Sequence, residues 1–259
     1  MKLGLKKEQI VTFGMLAVLI VAIVTLYIAF SSKINGALKE NFSGNILSIF
    51  EGLGVTLLIA ITSFLLGILL GTVTCLIDKV ESKNTFVLII KNLFKAYVHI
   101  FRGTPMVIQL LVIYYVIFAQ FTGDPIFVAV FCFGLNSGAY VSENIRGGIN
   151  SVSKGQVEAG RSLGLPYSTV MMKVVFPQAF RNALPSLGNE FITLVKETSI
   201  VGFISIIDLT LAFRKVANAT FDYNTVYLVM GVVYFALVMI FTLILNFIEK
   251  RVFKNVKAK

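Results

Sequence analysis

The chain of 259 residues is 57% hydrophobic and 14% charged, and it carries a formal net charge of +10. A soluble domain of this size usually has about a quarter charged residues, so a soluble core is excluded. The basic balance raises two partners, nucleic acid and a membrane surface, and the placement of the charges decides between them.

The apolar residues come in blocks, and crossing the hydrocarbon takes about 20 apolar residues of helix. Helices satisfy their own backbone polar groups, which lipid cannot do. The first block, residues 10–30, follows Lys2, Lys6 and Lys7. It exceeds the roughly 7–15 apolar residues of a cleaved signal peptide and is predicted to be a retained helix. The second block is 53–77. Residues 85–102 place Lys91, Lys95, His99 and Arg102 at helical spacing among Leu88, Ile89, Ile90, Leu93 and Phe94, the pattern of an interfacial helix. The third crossing is predicted at 104–121 and the fourth at 125–143. A polar, Gly- and Pro-punctuated segment fills 146–185. Blocks at 186–207 and 226–247 complete six crossings, and a basic tail closes the chain at 251–259. Cys75 and Cys132 lie inside apolar blocks without metal-ligand spacing and read as packing residues.

Six crossings put both termini on one side. Lys and Arg then divide eighteen to four between the two sides, with Lys196 inside a crossing. The positive-inside rule makes the richer side cytoplasmic. The asymmetry accounts for the basic charge without nucleic acid.

The 146–185 segment is too ordered in pattern for a linker. A helix-prone run ends at Gly164, a second stretch covers 167–175, and Pro177 is expected to break it. Glycine tolerates positive φ, so Gly164 is the expected turn. A rigid helical unit displayed by a membrane protein offers a knob to a partner's groove.

This run resembles the coupling-loop signature of ATP-binding-cassette importer permeases: Glu-Ala-Ala, three residues, Gly, nine residues, Ile, one residue, Leu-Pro. Glu158, Ala159, Gly160, Gly164, Val174, Phe176 and Pro177 fall on its positions without insertion. Gly160, Val174 and Phe176 depart from the signature residues, and Gly160 loosens a helix by about 1 kcal/mol relative to Ala. Arg102-Gly103-Thr104-Pro105, Arg146-Gly147-Gly148-Ile149, Pro177-Gln178-Ala179 and Lys196-Glu197-Thr198-Ser199 are similar to the polar-amino-acid uptake permeases, the histidine, arginine, glutamine, glutamate and cystine type. The likeness covers about residues 50–250.

The resemblance implies an all-α integral membrane protein, a type I importer bundle of five core helices, with 1–35 as an added N-terminal helix. It implies a multi-pass protein of the bacterial inner membrane. It also implies a cytoplasmic ATPase dimer that receives Glu158, Ala159, Gly160, Gly164 and Pro177, a second permease copy (identical or related), an external substrate-binding protein and a polar amino acid as cargo. No Gly-x-x-x-x-Gly-Lys-Ser/Thr loop occurs in the sequence, so no ATP chemistry, cofactor, metal or catalytic residue is expected in this chain. An ion-coupled secondary transporter or channel for a small solute is the alternative. Inverted repeats are typical of secondary transporters, and none is visible.

Charged groups near the bilayer centre cost about 3 kcal/mol on insertion scales and normally face a cavity or a partner. Asn136, Tyr140 and Glu143 share one face of the fourth block. Asn189, Thr193 and Lys196 repeat that spacing in the fifth, with Glu197 and Thr198 alongside. Gln109 lies in the third. A zwitterionic amino acid needs donors for its carboxylate and an acceptor for its ammonium, and Arg102, Gln109, Asn136, Tyr140, Glu143, Lys196, Glu197 and Thr198 are the candidate pathway. The structural alternatives are interhelical bonds for Asn136 and Gln109, a Glu143–Arg146 pair, a Lys196–Glu197 pair and a snorkelling Arg102.

Overall fold

The computed structural model describes residues 42–80 and 82–257, so the expected helix at 1–35 lies outside the described residues. Every regular element among them is helical. The order is α1 (Phe42–Lys79), α2 (Thr85–Gly103), α3 (Met106–Val112), α4 (Pro125–Asn150), α5 (Lys154–Ser162), α6 (Tyr167–Val170), α7 (Phe176–Glu197), α8 (Leu209–Thr220) and α9 (Tyr223–Lys257). Among the described residues three helices are long and apolar enough to cross a membrane: α1 over Ile46–Lys79, α4, and α9 over Tyr223–Val252. The pair α2 and α3, with its π-helical extension Ile113–Ile117, is a fourth candidate, bent by 114°.

Local chemistry explains several boundaries. Asn84 starts α2 by accepting the Phe86 N–H at 2.9 Å, and Asp124 starts α4 by accepting the Ile126 N–H at 2.9 Å. Each satisfies a donor that a helix start leaves orphaned. The Thr104-Pro105 step breaks α2 from α3, because a residue before proline is pushed out of the α region.

The structure differs from the predicted spans at four places. The third crossing, expected over 104–121, is helical only from Met106 to Ile117. At 1.5 Å per residue that is about 18 Å, short of the roughly 30 Å hydrocarbon. The fifth begins ten residues early, at Phe176, and runs through Pro185. Pro177 opens that helix instead of stopping the stretch before it, since a first-turn residue needs no N–H. α7 is long enough but less apolar than α1, α4 and α9, with Arg181, Asn182, Asn189 and Glu190 along it. Part of the expected 208–225 loop is the amphipathic helix α8.

α1, α4 and α7 form the centre of the bundle. Lipid is as apolar as a protein core, so close packing does more to hold such helices together than burial does. An added Cβ at Gly67 would lie 2.7 Å from Ser137 Oγ, and one at Gly71 2.6 Å from Val141 Cγ1. The two glycines, one turn apart, let the α1 and α4 backbones approach. Ile59, Leu110, Phe133 and Leu194 fill the centre. Phe64, Phe191 and Phe241 stack with centroids 5.4 and 5.1 Å apart and tie α1 to α7 and α9.

α8 is fastened to the same bundle by polar contacts. The buried Asp208 caps it, accepting the Thr210 and Leu211 N–H groups at 3.0 and 2.9 Å. Burial pushes the Asp208 carboxyl up from the ordinary carboxylate range, and those two N–H donors pull against the rise. Thr56 of α1 accepts the Leu209 N–H at 3.1 Å, and the Thr210 and Tyr234 hydroxyls lie 2.7 Å apart.

Candidate functional site

The first functional unit is the projection between α4 and α7. α5 ends where Gly164 adopts φ +80°. The Gly164 N–H bonds the Arg161 carbonyl at 2.9 Å, and the Leu165 N–H reaches the Gly160 carbonyl at 3.2 Å. These bonds satisfy carbonyls that a helix end leaves open. Pro166 then launches α6, whose π-helical extension Met171–Val175 runs into α7.

The unit is folded back on itself. Gly160 is buried against Val170, and an added Cβ there would lie 2.7 Å from Val170 Cγ2. Glycine in place of the signature alanine therefore gives the two helices closer contact at some cost in helix propensity. The Gln156 and Gln178 amides bond each other at 3.2 and 2.6 Å, and Asn182 donates to Ser151 Oγ at 2.8 Å. Both contacts anchor the projection to the first turns of α7. Glu158, Ala159, Leu163, Leu165, Tyr167 and Met172 remain exposed. An apolar knob flanked by a carboxylate is suited to a groove on another protein.

The second unit surrounds the α2–α3 bend. Gln109, 8% exposed, points its amide nitrogen at the Phe101 carbonyl, the Thr104 carbonyl and Thr104 Oγ1 at 2.8, 2.9 and 2.8 Å. Its amide oxygen accepts from Asn136 Nδ2 at 2.9 Å, and that nitrogen also lies 3.1 Å from the Phe101 carbonyl. Gln109 and Asn136 thus take up carbonyls that the bend withdraws from helical pairing. One turn further along α4, Arg102 stands 5.2 Å from the Tyr140 ring centroid and 3.2 Å from the Glu143 carboxylate. Arg146 shares the same carboxylate.

The structure therefore brings Arg102, Tyr140 and Glu143 together and joins Gln109 to Asn136. It does not bring Lys196, Glu197 or Thr198 to them: no ion pair among the described residues involves Lys196 or Glu197. The Thr198 hydroxyl, fully buried, donates to the Val195 carbonyl at 2.8 Å within its own helix.

Sequence reading missed Glu190. It is 9% exposed on α7, facing Ser137 of α4, and has no ion pair among the described residues. A carboxylate inside an expected crossing is itself the signal. Asp208 lies outside the expected crossings, and its role as the cap of α8 emerges only with that helix. The described residues contain no cluster of three or more His, Cys, Asp or Glu able to hold a metal.

Long apolar helices packed into one bundle, with a hairpin projecting between two of them, are the architecture of a membrane translocation subunit. The chain belongs to the family of binding-protein-dependent transport system inner membrane components, whose model matches residues 82–254. It is 39% identical over 209 residues to the arginine transport system permease protein ArtQ of Bacillus subtilis, covering 80% of this chain and 93% of that protein. It is 40% identical over 219 residues to a putative glutamine transport system permease protein GlnP of Rickettsia typhi, covering 83% and 97%. A crystal structure of an amino acid ABC transporter with histidines superposes with a TM-score of 0.73 at 35% identity, over 80% of this chain and 94% of that one. The MetNI methionine ABC transporter, at 18% identity and a TM-score of 0.68 over 81% and 98%, shares the fold. The chain is a type I importer permease that works with a substrate-binding protein and leaves ATP hydrolysis to a separate subunit.

Proposed function

We propose that this permease imports a polar amino acid, with residues 158–177 as the element that a cytoplasmic ATPase dimer moves. The observation that carries the reading is the projection itself: a stiff, back-anchored hairpin with Glu158, Leu163 and Leu165 exposed, aimed by a left-handed glycine. The arginine and glutamine cargoes of the relatives support an amino acid as substrate. Two permease copies, identical or related, enclose the pathway, and a binding protein outside the inner membrane delivers the cargo. Both termini and the projection lie in the cytoplasm, as the distribution of Lys and Arg favours.

Arg102, Tyr140 and Glu143 form a charged gate at one mouth. An arriving carboxylate competes with Glu143 for Arg102, and an ammonium competes with Arg102 for Glu143 and for the Tyr140 face. Gln109 and Asn136 hold the backbone that presents Arg102. Lys196, Glu197 and Thr198 belong to the far end of α7, where the pathway continues. Nucleotide-driven motion of the hairpin shifts the bundle between two conformations, and the permease contributes the equilibrium that its partners bias.

The test is a Glu158→Cys permease co-expressed with its ATPase carrying single cysteines along a surface groove. A nucleotide-sensitive crosslink between the two subunits is expected, together with ATP-dependent uptake in proteoliposomes. Robust uptake by the permease alone, without ATPase, would overturn the proposal.

A further inference from the structure

A cavity of about 380 Å³ opens between the C-terminal ends of α1 and α4 and one face of α2. Four of its lining cations, Lys91, Lys95, Arg102 and Arg146, meet two carboxylates, Asp78 and Glu143. Glu143 is shared by Arg102 and Arg146. Lys95 forms an ion pair with Asp78 at 3.6 Å, too long for a hydrogen bond, so the pair leaves its N–H donors open. Among the described residues Lys91 Nζ is held by the Val80 carbonyl alone, at 2.9 Å, a contact that takes one of its three donors. The cavity therefore keeps two uncompensated positive charges with donors to spare.

Its place in the fold narrows the ligand. The cavity sits where the apolar run of α1 gives way to Asp78 and Lys79, the depth of the membrane–water boundary. On α2, Lys91 and Lys95 face the cavity, while Phe86, Ile89, Leu93 and Ile100 are exposed on the rest of the helix. An amphipathic helix with this division lies in the interface with its apolar residues among acyl chains. A ligand that satisfies both surfaces has an anionic head and apolar tails.

We propose that this cavity seats the phosphate of an anionic phospholipid of the phosphatidylglycerol kind. The phosphate oxygens take up the free Lys91 and Lys95 donors, and the chains leave the cavity past Phe94, the apolar residue of α2 that lines it beside them. A phosphatidylcholine head carries its own cation into a cavity already in positive excess and is disfavoured. The phosphate sits at the Lys91–Lys95 end of the cavity, about two to three turns of α2 from Arg102, which the proposed gate uses.

The test uses the intact complex, stripped of lipid in neutral detergent and offered phosphatidylglycerol, phosphatidylcholine of the same chains, or glycerol 3-phosphate. Bound lipid is read by native mass spectrometry and stability by the unfolding temperature. Phosphatidylglycerol is expected to be retained about tenfold over phosphatidylcholine and to raise the unfolding temperature. The Lys91→Glu/Lys95→Glu variant loses that preference. Lys91→Gln/Lys95→Gln, which adds no carboxylate, weakens it several-fold should the first variant fail to fold. Lys215→Glu, an exposed cation on α8, keeps it. Equal retention of the two lipids, or a preference that survives the glutamine pair, overturns the site. An equal thermal shift from glycerol 3-phosphate overturns the lipid as its occupant.

Discussion

Replacing Gly164 with alanine isolates the part that backbone conformation plays in aiming the projecting hairpin and tests its proposed coupling role. At φ +80° a residue with a Cβ is strained, and no heavy atom lies within 4 Å of where that Cβ would sit. Steric contact with the rest of the protein is therefore absent, and the cost is that of the left-handed backbone alone, about 1–2 kcal/mol. The chain relieves the strain by rotating φ to a negative value. That rotation breaks the Gly164–Arg161 and Leu165–Gly160 bonds and re-aims Leu165 and Pro166. A penalty of that size lowers the population of correctly aimed hairpin roughly 5- to 30-fold. In proteoliposomes holding permease, ATPase and binding protein, substrate imported per ATP hydrolysed is expected to fall within that range, with membrane insertion unchanged. Gly164→Asn restores much of the ratio, because asparagine tolerates the left-handed region. Gly155→Ala, whose nearest neighbour is Ser153 Oγ at 3.6 Å, leaves it intact. An unchanged ratio in Gly164→Ala would refute the role given to the turn.

Gln109→Leu removes the bonds that hold the α2–α3 bend and is expected to destabilise the solubilised protein by about 2–3 kcal/mol, read by thermal unfolding. Loss of uptake at unchanged stability would instead place Gln109 in contact with substrate. Asp208→Ala strips the cap from α8 and costs about 1–2 kcal/mol in the same measurement, and Asp208→Asn costs less. Gly71→Val forces a Cβ to within 2.6 Å of Val141 and 2.8 Å of the Gly138 carbonyl, an overpacking of about 1–3 kcal/mol. Gly54→Ala, with nothing within 4 Å, is neutral or stabilising by up to about 1 kcal/mol in denaturant or thermal melts.

Apolar block length, a property of one segment at a time, made the membrane class and the long helices α1, α4 and α9 legible in the amino-acid sequence. Turn chemistry at Gly164 is equally local, so the turn that ends α5 is legible in the amino-acid sequence. Pro177 was misjudged as a stop because its meaning depends on whether the helix continues after it, which packing against α4 and α9 decides. Only the tertiary structure joined Gln109 to Asn136 and set Arg102 between Tyr140 and Glu143. Those contacts span 27 to 41 residues of chain and depend on the 114° bend at Pro105. The burial of Glu190 and the fastening of α8 to Thr56 are likewise consequences of which faces meet. Period and composition state that a helix has a polar face; the crossing of neighbouring helices determines what that face touches.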